Sequence, residues 1–349
     1  MDPTELIWMN GRFVAWEDAK VHVLTHGLHY GTGVFEGVRC YETDLDPTHP
    51  PAVFRNADHV ERLLRSAELY YMQVPFSAEE LRAATLELVA RNGLTSCYIR
   101  PIVYRGYGSM GLNPLDAPVD VTIACWEWGT YLGEEGMRYG VRAKVSSWER
   151  IGPRALIPHA KASGQYLNSV LAKIESLKAG YEEAIMLDEH GHVCEGTGEN
   201  VYVVRDGEIA TPGQHNSILD GITRRSIIQI AQDLGYTVVE RNVARAEMYL
   251  ADEVFLSGTA AEIVPVRELD DHQIGAGRPG EITRVLQAAF DDAIHGRSER
   301  YREWLDPVRA VALQTPAGEA LTEAGGHSPA ASIPVSASAG LERITGATG

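Results

Sequence analysis

One lysine, Lys161, stands in the run Pro158-His159-Ala160-Lys161-Ala162-Ser163-Gly164-Gln165-Tyr166-Leu167-Asn168-Ser169, among alanine, serine and glycine, with no acidic residue near it in sequence. Burial of an ammonium lowers its pKa, so this setting suits a lysine whose amine must shed its charge during a reaction. Thirty-four positions on, Glu195-Gly196-Thr197-Gly198-Glu199-Asn200 places a carboxylate immediately before a glycine turn. Taken singly, Lys161 reads as a solvated turn lysine and Glu195 as a strand-end carboxylate. A reactive lysine, a placed carboxylate and an anion site together describe a pyridoxal phosphate enzyme.

Anion sites are offered at two places. Leu219-Asp220-Gly221-Ile222-Thr223-Arg224-Arg225 opens a helix, with Ile227, Ile230, Ala231 and Leu234 on one face and Gly235 at its end; the first amides of any helix are unpaired and carry the positive end of its dipole. Val254 to Ser257 reads as a strand running into Gly258-Thr259-Ala260-Ala261, a second set of exposed amides that can hold a carboxylate. Two other glycine runs are discounted. Gly106-Tyr107-Gly108-Ser109-Met110-Gly111 matches GxGxxG after a strand, but Asn113-Pro114 stands where a helix should open. Tyr30 to Arg39 fits neither the dinucleotide nor the P-loop spacing, and its glycines suit a strand packed close to another backbone.

The positioning elements follow from periodicity. Asn10-Gly11 joins Leu6–Met9 to Arg12–Val14 in a type I′ hairpin. Val60, Leu63, Leu64, Ala67 and Tyr71 form the apolar face of a helix from Asp58 to about Met72, with Arg62 almost opposite, where periodicity makes it a solvated arginine. A second helix spans 78–91 and stops at Asn92-Gly93. Tyr98 to Tyr104 is a strand with Tyr98, Arg100 and Ile102 on one face, and Val119 to Trp128 is another. Past Val141–Val145, Leu167 to Leu177 reads as a helix with Leu167, Val170, Leu171 and Ile174 at core spacing, so Lys161 and Tyr166 lie on its entry loop. Short strands at 184–187, 192–195, 201–204 and 208–210 make a meander.

With 349 residues the chain is long enough for two core-forming domains. Four glycines between Trp128 and Val141 mark the boundary, which gives domains 1–128 and 141–308, a connecting loop 129–140 and, from the Ala, Ser, Pro, Gly and Thr bias, a disordered tail 309–349. A net charge of −17 argues against nucleic acid and anionic membrane surfaces as partners. Cys40, Cys97, Cys125 and Cys194 form no CxxC pair, so neither a zinc site nor a disulfide framework is expected and a reducing cytoplasm fits. The first residues lack the basic start and apolar run of a signal peptide, and no segment has the roughly 20 apolar residues of a membrane span.

From about Trp8 to Trp304 the chain resembles the branched-chain amino acid aminotransferases of the pyridoxal phosphate fold type IV family. The resemblance is carried in order by HAKASGQYLNS, EGTGENVY, LDGITRRSI and YLADEVFLSGTAAEIVPV. It implies two α+β domains, a smaller N-terminal sandwich and a larger C-terminal pseudo-barrel, with the cofactor in the cleft between them. It implies that Lys161 binds pyridoxal 5′-phosphate covalently and then moves the substrate α-proton, and that Glu195 faces the pyridine nitrogen. Tyr166 would bond the phenolic oxygen and Leu219 pack on the ring, while Arg62, the amides of Ile222 and Thr223 and the Thr259 hydroxyl would hold the phosphate.

The same resemblance implies an α-carboxylate site at Tyr98 and the amides of Thr259 and Ala260. Tyr30, Phe35, Trp128 and Tyr131 would form an apolar wall, and Arg100 would meet the second carboxylate of glutamate, which cannot be buried unpaired. The implied reaction moves the amino group of L-leucine, L-isoleucine or L-valine reversibly to 2-oxoglutarate, giving L-glutamate, in an assembly that is at least a homodimer. Rival readings within the fold are a D-amino acid aminotransferase and aminodeoxychorismate lyase. A rival of another class is a pyridoxal phosphate-binding protein without turnover.

Overall fold

Two sheets, each faced by helices, account for the architecture of the chain in a computed structural model that describes residues 2–45, 48–129 and 132–309. Tyr131 and, apart from Arg309, the expected tail lie outside those residues.

The first sheet uses β1 (Leu6–Met9), β2 (Arg12–Ala15), β3 (Gly33–Phe35), β4 (Val38–Tyr41), β5 (Ala52–Phe54), β6 (Cys97–Arg105) and β7 (Val119–Trp126). Its order is β2-β1-β7-β6-β4-β5, with β3 also on β6. The turn at Asn10-Gly11 has φ of 48° and 85°, the two positive angles a type I′ hairpin requires. β3 and β4 share one edge of β6: Phe35 sits opposite Ile102, and Arg39 opposite Tyr98. Phe35, Arg39, Tyr98 and Arg100 are thereby strung along adjacent strands.

The second sheet uses β8 (Val141–Val145), β9 (Glu183–Leu187), β10 (Val193–Gly196), β11 (Asn200–Arg205), β12 (Glu208–Thr211), β13 (Thr237–Glu240), β14 (Glu253–Gly258), β15 (Glu262–Leu269) and β16 (His272–Gln273), while β17 (Leu305–Pro307) returns to β5 of the first. It runs β10-β9-β8-β15-β14-β11-β12-β13, and β10 also pairs with β11. Six strands therefore close on themselves, the pseudo-barrel expected. It is less of a meander than the short strands suggested, because β8–β9, β8–β15 and β12–β13 are parallel pairs.

The helices are α1 (His26–Tyr30), α2 (Asn56–Leu69), α3 (Ala78–Arg91), α4 (Gly133–Tyr139), α5 (Tyr166–Lys178), α6 (Ile222–Asp233), α7 (Arg245–Tyr249) and α8 (Glu281–Ile294). α2 buries Val60, Leu63 and Ala67 against the first sheet, and a capping box of Ser77 and Glu80 starts α3. Tyr71 lies past the end of α2 at φ 56° and is exposed, so it is not part of that face.

α5 differs more from expectation. Its buried residues are the small Ser169, Ala172 and Ser176, which allow close approach to β9. Leu167, Val170, Leu171 and Ile174 point outward with Leu177, and Leu167 is 71% exposed. Periodicity identified an apolar face correctly but not the side that this chain covers. Leu234, past the end of α6, is likewise exposed rather than core.

Candidate active site

Lys161 is held where the two sheets meet. Its carbonyl accepts the Phe35 amide at 3.0 Å, its amide donates to Ser66 Oγ of α2 at 3.2 Å, and the next residue, Ala162, bridges Val34. Gly31 has φ 65°, and a Cβ there would lie 3.0 Å from Gly164 Cα, so glycine lets the two loops touch. Lys161 Nζ donates to the Tyr166 hydroxyl at 2.7 Å. Tyr166 is the first residue of α5, one position further into the helix than the entry loop expected.

Lys161, Tyr166, Glu195 and Leu219 line one cavity, together with Arg150 and Asn200. Glu195 Oε1 pairs with Arg150 Nη2 at 2.8 Å, and Oε2 accepts the Leu219 amide at 2.9 Å and Asn200 Nδ2 at 3.3 Å. Three of about four lone-pair positions are occupied, which leaves one for a further donor. Asn200 also donates to the Leu219 carbonyl, so one side chain fixes Leu219 relative to Glu195.

Arg62 departs from its periodicity reading. The cleft side of α2 is covered, the arginine side chain is only 11% exposed, and its Nε and Nη2 donate to Glu36 while Nη1 donates to the Asp220 carbonyl at 2.8 Å. A guanidinium has five donors, so two N–H groups remain. His59, one turn earlier, donates to the same Glu36 at 2.7 Å. Burial raises the Glu36 carboxyl, but Arg62 and His59 overcome that and hold it far below the ordinary carboxylate range.

Arg62 reaches the loop that opens α6. No side chain caps that helix, and among the described residues the amides of Ile222 and Thr223 have no acceptor. Gly221 is required there, because a Cβ would meet Asn200 Oδ1 at 2.1 Å. The Thr259–Ala261 turn between β14 and β15 likewise leaves the amides of Thr259 and Ala260 unengaged among the described residues.

Arg100 holds its guanidinium carbon 4.7 Å from the Phe35 ring centroid and 5.2 Å from that of Tyr98, and Nη2 donates to the Tyr98 hydroxyl at 3.3 Å. Its Nε is buried without a partner among the described residues. Trp128 packs its ring 4.7 Å from Tyr98. Tyr30 is not brought into this group: at the exposed end of α1 its ring contacts are His26 and His29.

The class IV aminotransferase model matches residues 33–269. This chain belongs to that family. It is 48% identical over 307 residues to the branched-chain-amino-acid aminotransferase of Salmonella typhimurium, covering 88% of this chain and 98% of that protein. The crystal structure of the Escherichia coli branched-chain amino acid aminotransferase superposes with a TM-score of 0.85 at 47% identity, covering 88% of this chain and all of that one. The T.th. branched-chain amino acid aminotransferase complexed with N-(5′-phosphopyridoxyl)-L-glutamate gives 0.83 at 48% identity over 88% of this chain and 99% of that one. The fold is that of family members, two-part and of fold type IV.

Four residues around the cavity escaped sequence reasoning: Arg150, Glu36, His59 and the role of Asn200. His59 borders the apolar stripe of α2 beside Leu63, three positions before Arg62, and a polar pair spaced this way formed a signal for a covered polar edge. Arg150 sits in an irregular loop and had none.

Proposed function

We propose that this chain catalyses reversible amino transfer from L-leucine, L-isoleucine or L-valine to 2-oxoglutarate, using pyridoxal 5′-phosphate. The observation that carries the reading is Arg100: a cation packed on Phe35 and Tyr98, without a carboxylate partner among the described residues, beside the lysine-bearing cavity. An apolar wall suits a branched side chain, and the guanidinium suits the second carboxylate of glutamate.

The residues present fit the cofactor. Among the described residues Arg62 keeps two donors without an acceptor beside the open amides of Ile222 and Thr223, a suitable anchor for a phosphate with Thr259 Oγ1 nearby in the family pattern. Glu195 retains a lone pair for a ring N–H, and Leu219 is tied in place next to it. When bound, the cofactor supplies an aldehyde that joins an amine and a ring that accepts electrons from the substrate α-carbon.

The chain does the rest. Lys161 would provide the amine that holds the cofactor and would act as the base and acid that moves the substrate α-proton, with the Tyr166 hydroxyl orienting it. Glu195, with Arg150 paired to it from behind, would hold a proton at the ring nitrogen. The amides of Thr259 and Ala260 and the Tyr98 hydroxyl bind the α-carboxylate, and Trp128 and Phe35 keep water from the pocket.

We also assign an assembly of at least two copies. The outward apolar stripe of α5 supports it, because apolar faces of that extent are usually covered. The segment 129–140 is read as the connection between the two halves. The four cysteines are free buried thiols, which suits a reducing, cytoplasmic setting; no described helix is long and apolar enough to cross a membrane.

The test is glutamate formation from 2-oxoglutarate with L-leucine, L-isoleucine, L-valine or D-alanine, with Lys161→Ala as blank. Transfer from the three L-donors alone is expected. Activity with D-alanine alone would overturn the substrate assignment.

A further inference from the structure

The hairpin that offers the Thr259 and Ala260 amides has an unusual residue at its far end. Gly258 and Glu262 are register partners, so three residues connect β14 to β15, and this connection commonly ends in a left-handed residue that is glycine. Here it is Glu262, at φ 57°. A glutamate adopts that conformation at a steric cost, and such costs persist where the surroundings hold the residue in place.

The holding contacts come from the other sheet. Arg39 Nη1 lies 3.7 Å from Glu262 Oε1, and burial together with the charge of that nearby carboxylate pushes the Tyr41 hydroxyl well above its ordinary range. Arg39 is buried, with its guanidinium carbon 4.8 Å from the Tyr41 ring centroid, and its Nε has no partner among the described residues. Arg39 is also the register partner of Tyr98 on β6. One ion pair thus spans from the hairpin to the strand pair that carries the tyrosine.

We infer that Glu262 is a positioning residue: through Arg39 and Tyr41 it sets the amides of Thr259 and Ala260 at a fixed place relative to the Tyr98 hydroxyl. This rests on the reading that those amides and that hydroxyl receive the substrate α-carboxylate. Without the clamp the two halves of the carboxylate site belong to separate sheets, and a displacement of an ångström is enough to lose productive binding.

The test compares Glu262→Gly, which accepts the backbone angle but removes the clamp, with Glu262→Gln, which keeps a side chain of the same length that can still accept from Arg39 but carries no charge. Each cofactor-loaded protein is titrated spectroscopically with 4-methylpentanoate, and separately assayed with L-leucine and with 3-methylbutylamine, which lacks the carboxylate. Glu262→Gly should bind the acid about tenfold more weakly and raise KM for L-leucine to a similar degree, with the glutamine variant between it and the parent. Cofactor affinity and the reaction of the amine should stay within about twofold. Unchanged acid binding in the glycine variant overturns the inference, as does an equal loss of acid and cofactor binding. A parent protein that neither binds the acid nor transfers an amino group overturns both the inference and the reading beneath it.

Discussion

The Arg100 guanidinium carbon lies 4.7 Å from the Phe35 ring centroid. Lys161 Nζ lies 5.3 Å from the same centroid, so one aromatic ring adjoins both the Lys161 amine and the Arg100 cation, which has no carboxylate partner among the described residues. A substrate attached near Lys161 can therefore meet either an apolar surface or a positive charge.

Replacing Arg100 with alanine separates those two demands. A hydrogen-bonded charge is worth about 1.5–3 kcal/mol, so KM for 2-oxoglutarate should rise about 10- to 100-fold. The first half-reaction with L-leucine should change only a few-fold. Stopped-flow measurement of each half-reaction with the cofactor-loaded protein decides, and equal losses would remove the assigned role.

Arg150 and Glu195 form an ion pair of 2.8 Å with both side chains more than nine-tenths buried. Removing one partner of such a pair commonly costs about 3–5 kcal/mol because the other charge is stranded. Arg150→Met should lower the thermal midpoint markedly and leave little amino transfer. Adding Glu195→Gln to it should restore much of the stability and none of the activity, which calorimetry and assay can distinguish.

Glu199 supplies a pH dependence. It is buried, and burial first and the charge of Glu183 second push its carboxyl from an ordinary 4.5 up to about 8. The native protein keeps that proton where the unfolded chain has released it. Its contribution is complete below about pH 4.5 and falls as pH rises toward 8, by up to about 1.4 kcal/mol per pH unit. Thermal midpoints of Glu199→Gln should lack this fall, so the variant should gain on the parent between pH 5 and 8. Parallel curves would show that Glu199 is ionised throughout.

Gly37 leaves no room for a side chain. A Cβ there would stand 1.8 Å from the Tyr98 hydroxyl. Gly37→Ala should displace the tyrosine and weaken carboxylate binding about tenfold or more while sparing the cofactor. Combining it with Tyr98→Phe should produce little additional loss, because the hydroxyl is already displaced; a full additive loss would place the effect elsewhere.

What the sequence disclosed follows a physical division. Local signals were reliable: Asn10-Gly11 turned a hairpin, Asn92-Gly93 ended α3 with Gly93 at φ 65°, and the glycines of Gly31 to Gly37 proved to be close approaches rather than a phosphate loop. Faces were less legible, because periodicity says that a stripe exists without naming its neighbour. Arg62 was read as solvated and faces the cleft, while Leu167, Val170, Leu171 and Ile174 were read as core and face outward. Arg150 could not be found at all, since its partner is 45 positions away and nothing local distinguishes it from Arg154, whose side chain is 82% exposed.

The closed ring of β8, β9, β10, β11, β14 and β15 also fixes the order in which this site can be assembled. Glu195 and Asn200 pair across a short hairpin, which can form as soon as those residues are made. Val141 pairs with Val266, across a loop of well over a hundred residues whose closure is entropically slow. Lys161 therefore leaves the ribosome long before the wall around it exists. A growing chain halted before β15 would carry Lys161 and Glu195 on a sheet with open edges, exposed to pairing with other nascent chains.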